Sequence, residues 1–309
     1  MVKLILVVLL LSSSFLAGYF FRDTVANRQI TQIGRKIVNQ NLPAPEPTHC
    51  NNEKLYSSLD DALLEIDNVC KLDLSYQQLT VFPKELTKLL HLVELRLDDN
   101  QLTGLPSEIG GFKDLQILTV RNNQLTNLPP EIGKLENLKV LSARNNKIQE
   151  IPKEIGNLKQ LRVIGMRDNQ LTSIPVEIGN LTKLTDLYLG NNHLKTLPAE
   201  ISNLRDLTTL TVADNELVDL PNGFSNLTSL VILNMRHNHI SVFPNEIVSM
   251  VNLKNLSLSD NPIAAYPPLI ANLKKLQSLY LSHTNIPSDD IANLKKLLPN
   301  LVVNTTGLE

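Results

Sequence analysis

The chain has no tryptophan, only two cysteines, and aromatic residues at 4% of its 309 positions. Its formal net charge is −2 and no basic tail is present. A nucleic-acid partner needs a cationic footprint, with aromatic platforms where bases are stacked, so that class is excluded. Catalytic signatures are missing too. There is no phosphate-binding glycine loop, no G-x-S-x-G and no H-E-x-x-H, and neither cysteine sits with a histidine in a credible dyad. The sequence therefore points away from an enzyme and implies no cofactor.

What is present is a period. Ten successive units begin at Val69, Leu92, Leu115, Leu138, Leu161, Leu184, Leu207, Leu230, Leu253 and Leu276, each 23 residues after the last. The unit reads L-x-x-L-x-L-x-x-N-x-L-x-x-L-P-x-x-I-x-x-L-x-x. Its L-x-x-L-x-L segment alternates apolar and polar residues, which suits a short strand buried on one side. Position 9 holds Asn100, Asn123, Asn146, Asn169, Asn192, Asn215, Asn238 and Asn261, flanked by Gln77 and Thr284. A carboxamide there can bond main-chain groups of adjacent coils that water does not reach. Proline fills position 15 from Pro83 to Pro267, and the expectation is that it starts a short helical turn. Glu108, Glu131, Glu154, Glu177 and Glu200 fall in that first turn, favourable for its dipole. Gly110, Gly133, Gly156 and Gly179 are expected to let the chain leave the turn.

The phrase L-P-x-E-I-G-x-L-x-x-L resembles the 23-residue class of leucine-rich repeat, found in many bacterial surface proteins and in Ras-pathway scaffold proteins. The segment Val69-Cys-Lys-Leu-Asp-Leu-Ser75 and the ending Leu-Lys-Lys-Leu-Leu-Pro-Asn300 are similar to the bacterial branch. The resemblance covers roughly residues 55–303 and implies an α/β fold. That fold is a leucine-rich-repeat solenoid, a curved horseshoe with a parallel β-sheet on its concave face and short helical turns on its convex face. Helical caps are expected at both ends. One is an N-terminal cap helix within 55–68, capped by Ser57 or Ser58; the repeats follow over 69–287. The other is a C-terminal cap helix and tail over 288–309, with Ser288 as cap, Pro299 as stop and a last strand near Leu301 to Val303. Function in this family lies in surface residues that differ between members.

Residues 1–21 stand apart. Lys3 precedes an apolar stretch from Leu4 to Phe21, which reads as a signal peptide or an uncleaved N-terminal membrane anchor. Residues 22–54 form a polar linker. The expected location is extracytoplasmic, secreted or membrane-anchored. Cys50 and Cys70 would bridge the N-terminal cap to the first coil, closing a loop worth roughly 3 kcal/mol; the alternative is two free thiols.

Positions 3, 5, 7 and 8 of each unit leave the core and line the concave face. Position 7 stacks Arg121, Arg144 and Arg167, with Arg236 further on, a column of like charge that calls for an anion. Position 3 supplies the apolar Ile117, Val140 and Val163, and position 5 the small Thr119, Ser142 and Gly165. Tyr188 follows as an amphipathic anchor. The strip suits a protein partner carrying carboxylates beside an apolar segment. The competing readings are an anionic glycan or cell-wall polymer, or a spacer whose arginines are neutralised by Asp98, Asp99 and Asp168. His237, Asp260 and His283, in consecutive coils at position 8, form a weak candidate for a divalent metal on a face that lacks closure.

Overall fold

The structure, a computed structural model, describes residues 54–306. The segment 1–21, the linker up to residue 53 and Cys50 lie outside the described residues. Cys70 is disulfide-bonded and buried. Among the described residues no helix is long and apolar enough to cross a membrane.

Twelve short strands follow the repeat. They are β1 (Leu55–Tyr56), β2 (Lys71–Asp73), β3 (Glu94–Arg96), β4 (Ile117–Thr119), β5 (Val140–Ser142), β6 (Val163–Gly165) and β7 (Asp186–Tyr188). The series continues as β8 (Thr209–Thr211), β9 (Ile232–Asn234), β10 (Asn255–Ser257), β11 (Ser278–Tyr280) and β12 (Val302–Asn304). All pair in parallel and in chain order to make one curved sheet. The register is that of the repeat, so Ile117 faces Val140, which faces Val163, which faces Asp186. The middle residue of each strand from β2 to β11 points inward, as Leu118, Leu141 and Ile164 do, and is buried. One apolar core runs the length of the repeats.

The asparagine column lies inside each bend. Asn123 Oδ1 accepts from Leu102 N at 2.9 Å in the coil before it. Its Nδ2 donates to the carbonyls of Leu97 at 2.9 Å, Arg121 at 3.0 Å and Val120 at 3.2 Å. Asn169 repeats the pattern with Ile148 N, Ala143 O, Met166 O and Arg167 O.

The far side of the first nine coils carries a 3-10 turn, such as Pro130–Lys134 and Lys153–Asn157. Here the structure corrects the sequence reading twice. Proline 15 is the residue before the turn, not its first member. Pro152 has φ −64° and ψ 143°, and its carbonyl accepts from Ile155 N at 3.0 Å. The glycines are not exits either, because none of the four has positive φ. Their role is close approach. A Cβ on Gly110 would sit 2.9 Å from the carbonyl oxygen of Glu131, and one on Gly156 2.8 Å from that of Glu177.

The caps also differ in detail. Leu55–Tyr56 is a strand, not helix, and pairs with β2. The helix α1 is only Leu59–Leu64, with Ser58 Oγ accepting from Asp61 N. At the other end α2 spans Ser288–Leu297. Ser288 is its first residue rather than its cap; Pro287 holds the cap position, and its carbonyl accepts from Ile291 N. Leu294, Leu298 and Leu301 cover the last coil.

Candidate concave binding face

The parallel register turns each unit position into a column with a step of about 4.8 Å. At position 7 the arginines meet different fates. Arg121 lies against Asp98, which is 4% exposed. Its Nε donates to Oδ2 at 2.9 Å and its backbone N–H to Oδ1 at 2.7 Å, while Thr119 Oγ1 donates to Oδ2 at 3.1 Å. Burial alone would lower the Arg121 guanidinium, but the Asp98 carboxylate outweighs it and raises it. Arg167 Nε reaches Asp168 Oδ1 at 3.4 Å, and Arg236 Nε donates to Asp260 Oδ2 at 2.8 Å.

Arg144 differs. It is exposed, and among the described residues it pairs with no carboxylate. Partial burial by the curved sheet, and then the neighbouring Arg121 charge, push its guanidinium below the ordinary arginine value. The charges of Asp168 and Asp98 act on it in the opposite sense without outweighing this.

The apolar row at position 3 is bounded. Glu94 precedes it and Asp186 follows it, each buried and engaged. Glu94 accepts from Arg96 Nε, and Asp186 accepts from Thr185 Oγ1 at 2.7 Å and Tyr188 Oη at 3.3 Å. Within the row, Ile117 and Val163 are half-buried, but Val140 is only 5% exposed. Val140 is thus the most buried of the three, lying between Ile117 and Val163 in the register. The Tyr188 hydroxyl is committed to Asp186, and burial followed by that carboxylate drives its pKa upward; the half-buried ring remains on the face.

The histidine and aspartate set divides. His237 Nδ1 turns to Asp214 Oδ1 at 3.0 Å, whereas His283 Nδ1 turns to Asp260 Oδ1 at 2.7 Å. Among the described residues no group of three or more His, Cys, Asp or Glu is arranged to hold a metal.

Sequence reasoning missed a property of position 8. Tyr76, Asp99, Asn122, Asn145, Asp168, Asn191, Asp214, His237, Asp260 and His283 all have φ between 51° and 62°. Asparagine, aspartate and histidine are the non-glycine residues most at ease there, so the column's composition carried the signal. Its side chains also bond between coils, as Asn122 Nδ2 to Asp99 Oδ1 at 2.7 Å and Asn145 Nδ2 to Asn122 Oδ1 at 2.9 Å.

A family model described as a leucine-rich repeat region matches residues 64–163 and 146–237, and one for two leucine-rich repeat copies matches 251–302. The chain belongs to the leucine-rich-repeat family. No curated protein sequence matches it. Among solved structures, a Leptospira interrogans leucine-rich-repeat protein is 30% identical over 82% of this chain and 100% of its own, with a TM-score of 0.42. The ectodomain of a plant membrane receptor kinase from Arabidopsis thaliana, solved with Casparian strip integrity factor 2, is 30% identical. It matches over 78% of this chain and 30% of its own, with a TM-score of 0.68. A Listeria monocytogenes internalin is 25% identical over 77% of this chain and 72% of its own, with a TM-score of 0.63. Leucine-rich-repeat folds commonly mediate protein binding, and nothing in this chain indicates catalysis.

Proposed function

We propose that this protein is a non-enzymatic, exported or membrane-tethered module that binds a protein partner on the concave face of its repeats. Arg144 carries the reading. Among the described residues it is the one arginine of the position 7 ladder without a carboxylate, and it follows the strand whose first residue, Val140, lies between the half-buried Ile117 and Val163. A carboxylate of the partner would complete the ladder while apolar side chains cover the row. Export is supported by the apolar segment at 1–21, and a plant ectodomain solved with its protein ligand stands among the similar structures. The same arginine also suits an anionic glycan, for which the apolar row is immaterial.

The test is a paired affinity capture from an extracytoplasmic extract, using the full chain and its Arg144→Glu and Ile117→Ser variants. A protein retained by the first and lost by both variants supports the reading. Loss with Arg144→Glu alone moves the glycan ahead. Equal recovery by all three leaves a spacer.

A further inference from the structure

We infer that the partner segment seated on coils three to five is an acidic amphipathic α-helix. This rests on the concave-face reading above and names the occupant of that site. The first argument is spacing. The accessible Ile117 and Val163 are two strands apart, about 9.6 Å at the usual strand separation. Helix residues i and i+7, on one stripe, are about 10.5 Å apart. Same-face residues of an extended chain fall at about 6.6 or 13.2 Å, missing by roughly 3 Å or more. The more buried Val140 lies between them, beneath the side chain one turn along.

The second argument is hydrogen bonding. Coils three to five lie mid-sheet, where every strand already pairs on both sides. An extended segment laid across them finds no strand edge, and its own main-chain groups lose water without gaining partners. A helix arrives with those groups bonded internally.

The third argument is charge and relief. Arg162 precedes strand β6 and Arg144 follows strand β5, so a cation stands at each end of an apolar centre. A helix about 10–12 Å across, apolar along one stripe and acidic on both flanks, matches that order. Ser142 and Gly165 beside the row keep the floor low, and a Cβ on Gly165 would already come within 3.2 Å of Ser142 Oγ. The bounding Glu94 and Asp186 limit the apolar contact to about two helical turns.

The test uses the full chain and two fluorescein-labelled peptides of identical leucine and glutamate composition, each about five helical turns long if helical. One places leucine at a helical period and is held by an i to i+4 side-chain cross-link; the other alternates leucine and glutamate as a strand would. Soluble polyglutamate serves as the polymer control. Fluorescence anisotropy is expected to show the helical peptide binding at least tenfold tighter than the alternating one. Arg144→Gln and Ile117→Ser should each weaken it about fivefold or more, with thermal melts verifying that both variants stay folded. Equal binding of the two peptides, tighter binding of the alternating one or of polyglutamate, or no binding by any probe overturns the helix. If in that case the capture experiment still loses its protein with both variants, the concave face binds a protein in another conformation and only this inference falls.

Discussion

A single carboxamide inside each bend ties three segments of chain together, and its loss is the sharpest residue-level test of the fold. Asn169→Ala deletes four bonds to main-chain groups, three of them buried, and is expected to cost about 1–3 kcal/mol, read as a lowered melting temperature. A residue column with φ near 55° predicts a different asymmetry. His237→Asn should be tolerated, while the β-branched His237→Val should destabilise by about 1–2 kcal/mol, measured by denaturant unfolding. Asp260 adds a pH dependence. Burial raises its carboxyl, but hydrogen bonds from Arg236 and His283 outweigh burial and hold it below the ordinary value. A depressed folded pKa contributes stability above the unfolded value, about 3.9, that disappears as pH falls through the folded one. The Asp260→Asn variant should therefore melt lower at neutral pH, with the gap closing below about pH 4. The asparagines were legible in the sequence because they recur every 23 residues at one position. Pairing of the arginines with Asp98 and Asp168 was among the competing sequence readings; which arginine each takes, and the pairing of Arg236 with Asp260, were not, because the partners come from the preceding coil, the same coil and the following coil respectively.

The turns show where an element can carry a recognisable signature for an unexpected reason. Glycine after L-P-x-E-I reads as an exit, yet its backbone is ordinary and the constraint is the neighbouring turn. Gly156→Ala is expected to cost about 1–3 kcal/mol, since its Cβ would meet the Glu177 carbonyl and a packed stack relaxes poorly. Gly111→Ala, at the end of the turn Ser107–Gly111 with nothing near its Cβ, should be neutral or stabilise by up to about 1 kcal/mol. Equal thermal shifts for the two would remove close approach as the explanation. The strands were legible because alternation is local. The 3-10 character of the turns was not, because it depends on Pro152 and its equivalents accepting from the residue three later while the next coil presses against them.

At the scale of the molecule, neighbours in sequence are neighbours in space, and the sheet order never departs from chain order. Stability is then close to a sum of coil and interface contributions. Native-state hydrogen exchange should find the slowest amides in β4 to β9, where each coil has several neighbours on both sides, and the fastest in β1 and β12. Terminal strands protected as well as the middle would argue for a cooperative unit instead. The C-terminal cap matters for the same reason. Deleting residues 288–309 uncovers Leu279 and Leu281 by removing Leu294, Leu298 and Leu301, so melting should fall and the last coils should exchange first.

By itself the sequence determined the repeat, its strands, its inward leucines and asparagines, and the columns its outward residues form. A strict period makes every coil the same local problem with the same local answer. Only the tertiary structure decided which outward residues are usable. Val140 is buried between the half-buried Ile117 and Val163, and carboxylates of the preceding, the same and the following coil engage Arg121, Arg167 and Arg236. Among the described residues Arg144 pairs with no carboxylate. Burial and ion pairing depend on distances between coils, and a period in one dimension does not contain them.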